Sequence, residues 1–351
     1  MIYVNARFLT QEMTGVQRFA EMISLELNRK IDNVCFLSPS NIVRADIASQ
    51  LNVRIIGKNT GHLWEQLDLP YFLSKQEKGI LVNLGNTAPI LYRNKITAVH
   101  DITFLKFPES FSKKFLYFYK ILIPLVIKTS KHIVTVSEFS KNEILRKYNL
   151  DKEKISVVYN AVNNNLSIEN IKKYNGKPYF LMVSSQNYHK NFGIALEGFY
   201  LARKDGYLDE FGLKIIGAKN SAFNTQSYTS ILKEDVEFLG RVSDAQLADL
   251  YANATSFVFP SLYEGFGIPP LEAQYFGCPV IASNAASLPE VLSDSVLYFN
   301  PHSSSEIKDA MIKVSNDLNL REKLIECGYK NLKKYSWGDS ASKLLSIINK
   351  I

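Results

Sequence analysis

The chain has 351 residues, 46% hydrophobic and 21% charged, with 17 glycines and 12 prolines. That composition excludes a disordered chain, a collagen-like repeat and a coiled coil, and the length is that of two domains of about 100–200 residues each. The formal net charge of +7 is carried by the first half: residues 1–165 hold 22 basic and 14 acidic side chains and the remainder 19 and 20, so one domain is expected to meet nucleic acid, anionic lipid or a phosphorylated substrate. Cys35, Cys278 and Cys327 are far apart and form no C-x-x-C pair, which points to a reducing compartment with neither disulfide framework nor cysteine zinc site. The opening MIYVNARFL has no signal-peptide pattern, and no run of 18 apolar residues is present, so neither a leader nor a transmembrane helix is expected.

Ile2 and Val4 alternate in a short strand, and a polar loop leads to Thr14-Gly15. Val16, Phe19, Ala20, Ile23 and Leu27 then mark one face of a helix. Buried strands are predicted at 34–37, 80–83, 96–100, 133–136 and 155–158, with a helix over 138–148. Turn-rich sequence at 161–178 reads as a linker. A second series follows: strands at 179–185, 213–217, 236–239, 256–260 and 279–282, and helices over 192–202 and after Ser243. The segment Ser243-Asp-Ala-Gln246 has the form of a capping box. Strands alternating with helices predict an α/β protein of two similar doubly wound halves that bind ligand in the crevice at the carboxyl ends of their strands.

The richest stretch is ATSFVFPSLYEGFGIPPLEAQYFGCPVIAS, residues 254–283. A strand ends at Pro260-Ser261, the loop Tyr263-Glu264-Gly265-Phe266-Gly267 follows, and Pro269-Pro270 opens a helix. Gly277 is placed to end that helix. Glycines let backbone N–H groups approach a ligand, and a helix N-terminus favours phosphate. Carboxylates at Glu264 and Glu272 suit hydrogen bonds from sugar hydroxyls. Turn chemistry and helix-dipole complementation explain the same residues without a ligand, and local sequence leaves the two readings level.

The segment Glu264-Gly-Phe-Gly-Ile-Pro-Pro-Leu-Glu272 resembles the E-x7-E signature of retaining glycosyltransferases of family 4, and the sequence around it is similar to that family almost throughout. Thr14-Gly15-Val-Gln-Arg-Phe resembles the family's first glycine loop, Val99-His100-Asp101 its "HD" element, and Val136-Ser137-Glu-Phe-Ser140 the segment after its central helix. Asn160-Ala161-Val162 stands where the family has Asn-Gly-Val. The resemblance runs in order from residue 1 to about 300 and implies the GT-B fold, two Rossmann-like domains facing a cleft. It implies an N-terminal acceptor domain over 1–165, a nucleotide-sugar domain over 176–335, and a C-terminal helix over 336–351 that packs back toward the first domain.

By that resemblance, Glu272 accepts from the donor ribose, Glu264 contacts the transferred sugar, and Gly265, Phe266 and Gly267 present amides to the diphosphate or sugar. Lys190, in a Lys-Asn dipeptide, faces the diphosphate; Gly15 lets its loop approach it; and His100 lies near the reacting sugar. Arg18 reads equally as a surface residue. Many relatives carry a further arginine near this lysine, where this chain has His189 or, at the strand end, Ser184-Ser185-Gln186; Arg241 is a candidate substitute. The five histidines show no metal-ligand spacing, so no metal and no cofactor are expected. The partners implied are a nucleotide-sugar donor, first GDP-mannose, and a glycan or lipid-linked acceptor of bacterial polysaccharide or O-antigen synthesis, with no nucleic acid. Between 106 and 131 there are six lysines and one acid, Glu109, interleaved with aromatics. Lys106, Lys113, Lys114 and Lys120 therefore suggest a cytoplasmic protein, peripheral on the inner membrane face. The same segment reads alternatively as a core-facing helix with solvated lysines, kinked or interrupted at Pro124. The competing functions are a sugar-nucleotide epimerase and a catalytically silent partner protein of the same fold.

Overall fold

Among the described residues the strands pair in parallel, in two sheets. A computed structural model describes residues 1–162, 171–183, 187–217 and 235–351. It divides the chain into one unit of Met1–Lys106, Ser112–Asn160 and Tyr335–Ile351, and a second of Phe107–Phe111 and Ala161–Lys334.

In the first unit the strands are β1 (Ile2–Asn5), β2 (Val34–Ser38), β3 (Arg54–Ile55), β4 (Ile80–Asn83), β5 (Lys95–Ala98), β6 (His132–Thr135) and β7 (Ile155–Val157). Their order is β3-β2-β1-β4-β5-β6-β7, which reverses direction of growth between β1 and β4. The central strands β1, β2 and β4 are largely apolar runs closed by a polar residue, as expected where both faces are covered. The helix Gly15–Lys30 buries Phe19, Ala20, Ile23 and Leu27, the predicted face. The helix Trp337–Ile348 packs on it through Trp337, 6.1 Å from the Phe19 ring. Ser340 Oγ also donates to the Tyr159 carbonyl at 2.7 Å.

A buried polar network closes the β1–β4 reversal. Asn5 and Asn83 are register partners at the strand ends, and Asn5 Nδ2 donates to Asn83 Oδ1 at 3.0 Å and to Glu65 Oε1 at 2.8 Å. Arg7 Nε reaches the same Glu65 oxygen at 3.3 Å, Thr87 Oγ1 donates to it at 3.1 Å, and His62 Nδ1 lies 3.3 Å from Oε2. Glu65 is 1% exposed. Burial alone would raise its carboxyl, but the Arg7 charge and the His62 and Thr87 hydrogen bonds outweigh it and hold the group below its ordinary value. Glu65→Gln keeps the shape and strips Arg7 of its counter-charge, so a loss of about 2 kcal/mol is expected in urea unfolding. Because the folded carboxyl is depressed, the wild-type contribution is complete above the ordinary carboxylate pKa and fades as pH falls through the folded value. The difference between wild type and Glu65→Gln should therefore shrink in acid, and a constant difference would contradict the ionised assignment.

The second unit holds β8 (Tyr179–Val183), β9 (Gly212–Ile216), β10 (Val236–Gly240), β11 (Ser256–Phe259), β12 (Val280–Ser283) and β13 (Leu297–Phe299). Their order, β10-β9-β8-β11-β12-β13, reverses between β8 and β11. Phe180, Met182, Phe199, Val258, Ile281 and Ile307 lie in its core. Ser243 and Gln246 form the predicted capping box, with hydrogen bonds of 3.3 and 2.9 Å.

Residues Lys113–Thr129 form a single helix. It runs through Pro124 without interruption. Leu122, Ile123, Val126 and Ile127 are buried on either side of the proline, and that packing offsets the one backbone hydrogen bond it cannot make.

Candidate functional site

A parallel α/β sheet binds ligands outside the carboxyl ends of its strands, where the strand order reverses. In the second unit those ends belong to β8 and β11, and Lys190 and Glu264 lie on the chain that follows each. They meet there: Lys190 Nζ donates to Glu264 Oε1 at 2.7 Å, with the side chains 22% and 13% exposed. Residues 74 positions apart are thus joined by the topology. Asn191 fixes the approach. Its backbone is left-handed, at φ 56°, and its Nδ2 donates to the carbonyls of Pro260 at 3.1 Å and Pro301 at 2.7 Å. The amide of Leu262 closes the loop pair by donating to the His189 carbonyl at 2.7 Å.

The loop over 261–267 is held from β12 and the turn beyond it. Ser283 Oγ donates to the Ser261 carbonyl, and Ser287 Oγ bonds the carbonyls of Glu264 and Phe266 at 2.9 and 3.1 Å. Three carbonyls of the loop are thereby tied to β12 and the turn beyond it. Phe266 is buried. Gly267 precedes the helix Ile268–Tyr275 at φ 96°, and a Cβ there would stand 2.7 Å from Leu288 Cδ2. Gly267→Ala is expected to cost about 1–3 kcal/mol in thermal unfolding, from strain and contact together; an unchanged midpoint would show that the loop relaxes freely. Pro269 and Pro270 carry no N–H, so an anion at this helix start would meet mainly the amides of 265–268. Glu272, 7% exposed, lies in this helix, and Tyr251 Oη donates to its Oε2 at 3.4 Å.

His189 is engaged within this unit. It is buried, its Nδ1 is 2.9 Å from Ser110 Oγ, and its ring stacks on Phe111 at 6.2 Å. Phe107 lies 5.9 Å from Tyr263. Residues 107–111 thereby belong to this unit. Nothing in the sequence marks that excursion. Ser184, Ser185 and Gln186 lie outside the described residues. Arg241 follows β10, the edge strand, with β9 between it and β8.

The remaining expected residues lie in the first unit. Gly15 opens its helix. His100 sits two residues beyond β5 and is 5% exposed. Its Nε2 is 2.9 Å from the Leu84 carbonyl, and Phe19 meets the ring edge-on at 4.9 Å. Burial pushes its pKa down, against the opposing pull of the Leu84 carbonyl and Asp101. A neutral ring that donates from Nε2 keeps Nδ1 as an acceptor. Lys113, Lys114 and Lys120 are exposed on the helix Lys113–Thr129, but Lys106 is engaged by Glu143 at 2.5 Å. The Asn5–Arg7–Glu65–Thr87 network went unread in the sequence. Its one local signal is an asparagine closing each of two apolar strands.

Comparison with known proteins agrees with this geometry. Residues 163–331 match the family described as glycosyl transferases group 1, and residues 86–166 match glycosyltransferase family 4. The chain is 37% identical to the O-antigen chain mannosyltransferase RfbU of Salmonella typhimurium over 67% of its own length and 64% of that protein's. It is 28% identical to O-antigen chain mannosyltransferase B of Escherichia coli, over 72% of this chain and 69% of that one. The Anabaena protein HepE, solved in complex with UDP, superposes with a TM-score of 0.72 at 16% identity, covering 100% of this chain and 99% of that one. The fold is GT-B, with two Rossmann-like parallel sheets.

Proposed function

We propose, for a chain whose residues 86–331 belong to the family 4 and group 1 glycosyltransferases, that it transfers a sugar from a nucleotide donor to a glycan or lipid-linked acceptor in bacterial surface-polysaccharide synthesis. The observation that carries this is the Lys190–Glu264 pair at the β8–β11 reversal, with Glu272 buried in the helix that follows. An ammonium there suits a diphosphate, and carboxylates beside it suit sugar and ribose hydroxyls. On donor binding Lys190 would exchange Glu264 for phosphate oxygen, and Glu264 would accept from the transferred sugar. In the first unit His100 accepts a hydroxyl hydrogen bond through Nδ1 and does not act as a base.

The donor we propose first is GDP-mannose, because both O-antigen relatives are named as mannosyltransferases. Transfer proceeds with retention. The diphosphate leaves on the face the acceptor attacks, one of its oxygens takes the acceptor proton, and the protein supplies no nucleophile. Charge on the leaving group is stabilised by Lys190 and the loop amides rather than by a metal. Peripheral docking on anionic membrane belongs to the same reading; among the described residues no helix is long and apolar enough to cross a bilayer.

The test is product analysis by NMR with a panel of nucleotide sugars, with and without EDTA. Retained anomeric configuration and EDTA resistance are expected. Conversion of donor without acceptor would favour an epimerase, and no turnover of any donor a silent partner protein.

A further inference from the structure

The first unit carries a second feature at the opposite edge of its sheet. Its strands are parallel, so the residues that precede β4, β5, β6 and β7 gather at the amino edge, away from Asn5, Asn83 and His100. A cavity of about 750 Å³ opens there, within the range of small-molecule sites. Lys78, Arg93, Lys131 and Lys154 line it, with Tyr92 and Thr129, and among the described residues no carboxylate lines it.

Beneath it lies Lys95, 0% exposed. Its Nζ donates to the Tyr92 carbonyl at 2.7 Å and to Thr129 Oγ1 at 2.8 Å, both neutral acceptors. Lys154 Nζ likewise donates to a carbonyl, that of Ser130, at 2.5 Å. Burial first, then the charges of Arg93 and Lys154, push the Lys95 ammonium down to about 7. A buried charge without a counter-ion is costly, and like charges around it add to the cost. A structural role would have been met by one carboxylate or by an apolar side chain. Five bases around one cavity without an acid fit a counter-charge that arrives with a ligand. A guanidinium fork and several ammonium groups are the donor set that recognises phosphate oxygens.

We infer that this cavity is an anion site, separate from the donor site of the second unit, that takes a phosphate-bearing ligand. The phosphate group could be carried by a free diphosphate or nucleotide, or by a lipid headgroup. Neither assignment depends on the sugar-transfer reading.

The full chain carrying Lys190→Ala, which disables the proposed donor site, is titrated calorimetrically with inorganic pyrophosphate against sodium chloride of equal ionic strength. The same protein is floated with vesicles of phosphatidylglycerol in phosphatidylcholine. Both measurements are repeated with Arg93→Gln and Lys131→Gln added. Pyrophosphate binding that weakens at least tenfold in the added pair identifies a free phosphate ligand. Vesicle binding that falls by the same factor, without pyrophosphate binding, identifies a headgroup. The pair lies on exposed positions and removes like-charge repulsion, so its unliganded melting point should hold or rise, which separates lost binding from lost fold. If neither pyrophosphate nor vesicle binding responds to the pair, the inference is overturned.

Discussion

Replacing Lys190 by alanine is expected to slow sugar transfer by about two to three orders of magnitude, the loss seen when one preorganised group is withdrawn from a developing negative charge. In the proposed reaction the leaving diphosphate gains charge as the glycosidic bond breaks, and Lys190 is the cation that the β8–β11 reversal brings beside Glu264, at 2.7 Å. Asn191, pinned to two carbonyls, fixes the backbone that presents the lysine, so only its side-chain end moves when donor replaces Glu264. The stability loss should be smaller, about 1–2 kcal/mol, because the pair keeps some solvent and screening discounts it. Three variants separate the roles. Lys190→Arg keeps the charge with a different geometry and should retain part of the rate. Glu264→Ala in the Lys190→Ala background should restore stability, since no carboxylate is left unpartnered, but not transfer. Steady-state rates and thermal midpoints for this set are sufficient. A Lys190→Ala enzyme within threefold of wild type would remove the lysine from the mechanism.

Much of this site was legible because local signals and topology agreed. The Gly267 turn, the Pro269-Pro270 helix start and the apolar run of β11 each announce themselves in a few residues. The order of alternating strands and helices then predicts that their carboxyl ends carry the ligand. What the sequence hid depends on distance. Glu65 is bonded to Asn5, 60 residues away, and no periodicity records that contact. Ser283 and Ser287 hold the glutamate loop from β12 and beyond, yet read as ordinary turn serines. Residues 107–111 join the second unit through Ser110 and His189, which are 79 positions apart. The strand β3 is two residues long, too short for alternation to register.

The protein is expected to sediment with anionic vesicles and to lose that binding when Lys113, Lys114 and Lys120 are changed to glutamine. Each lysine near an anionic surface contributes about 1 kcal/mol, so three amount to a factor of about 100 in partitioning. Their positions favour this reading over mere solubility. Lys113 and Lys114 occupy the first turn of the helix Lys113–Thr129, where no acid is present and the helix dipole disfavours cations. The same helix leaves Tyr117 74%, Ile121 50% and Leu125 40% exposed, beside Phe118, whose ring lies 4.7 Å from that of His62. His62 lies in the first turn of a helical stretch that exposes Leu63, Leu67 and Tyr71, so apolar surface from both segments flanks this contact among the lysines. Such a face fits the headgroup–acyl boundary, with charge drawing it in and apolar side chains seating it. Lys106, paired with Glu143, serves as the control, and Lys106→Gln should change little. Tyr117→Ser with Ile121→Ser should weaken binding even at low salt, whereas the lysine contribution should vanish in high salt as the Debye length shrinks. Equal partitioning onto neutral and anionic vesicles, or none onto either at low salt, would leave the lysines as solubilising charges and place the acceptor in solution.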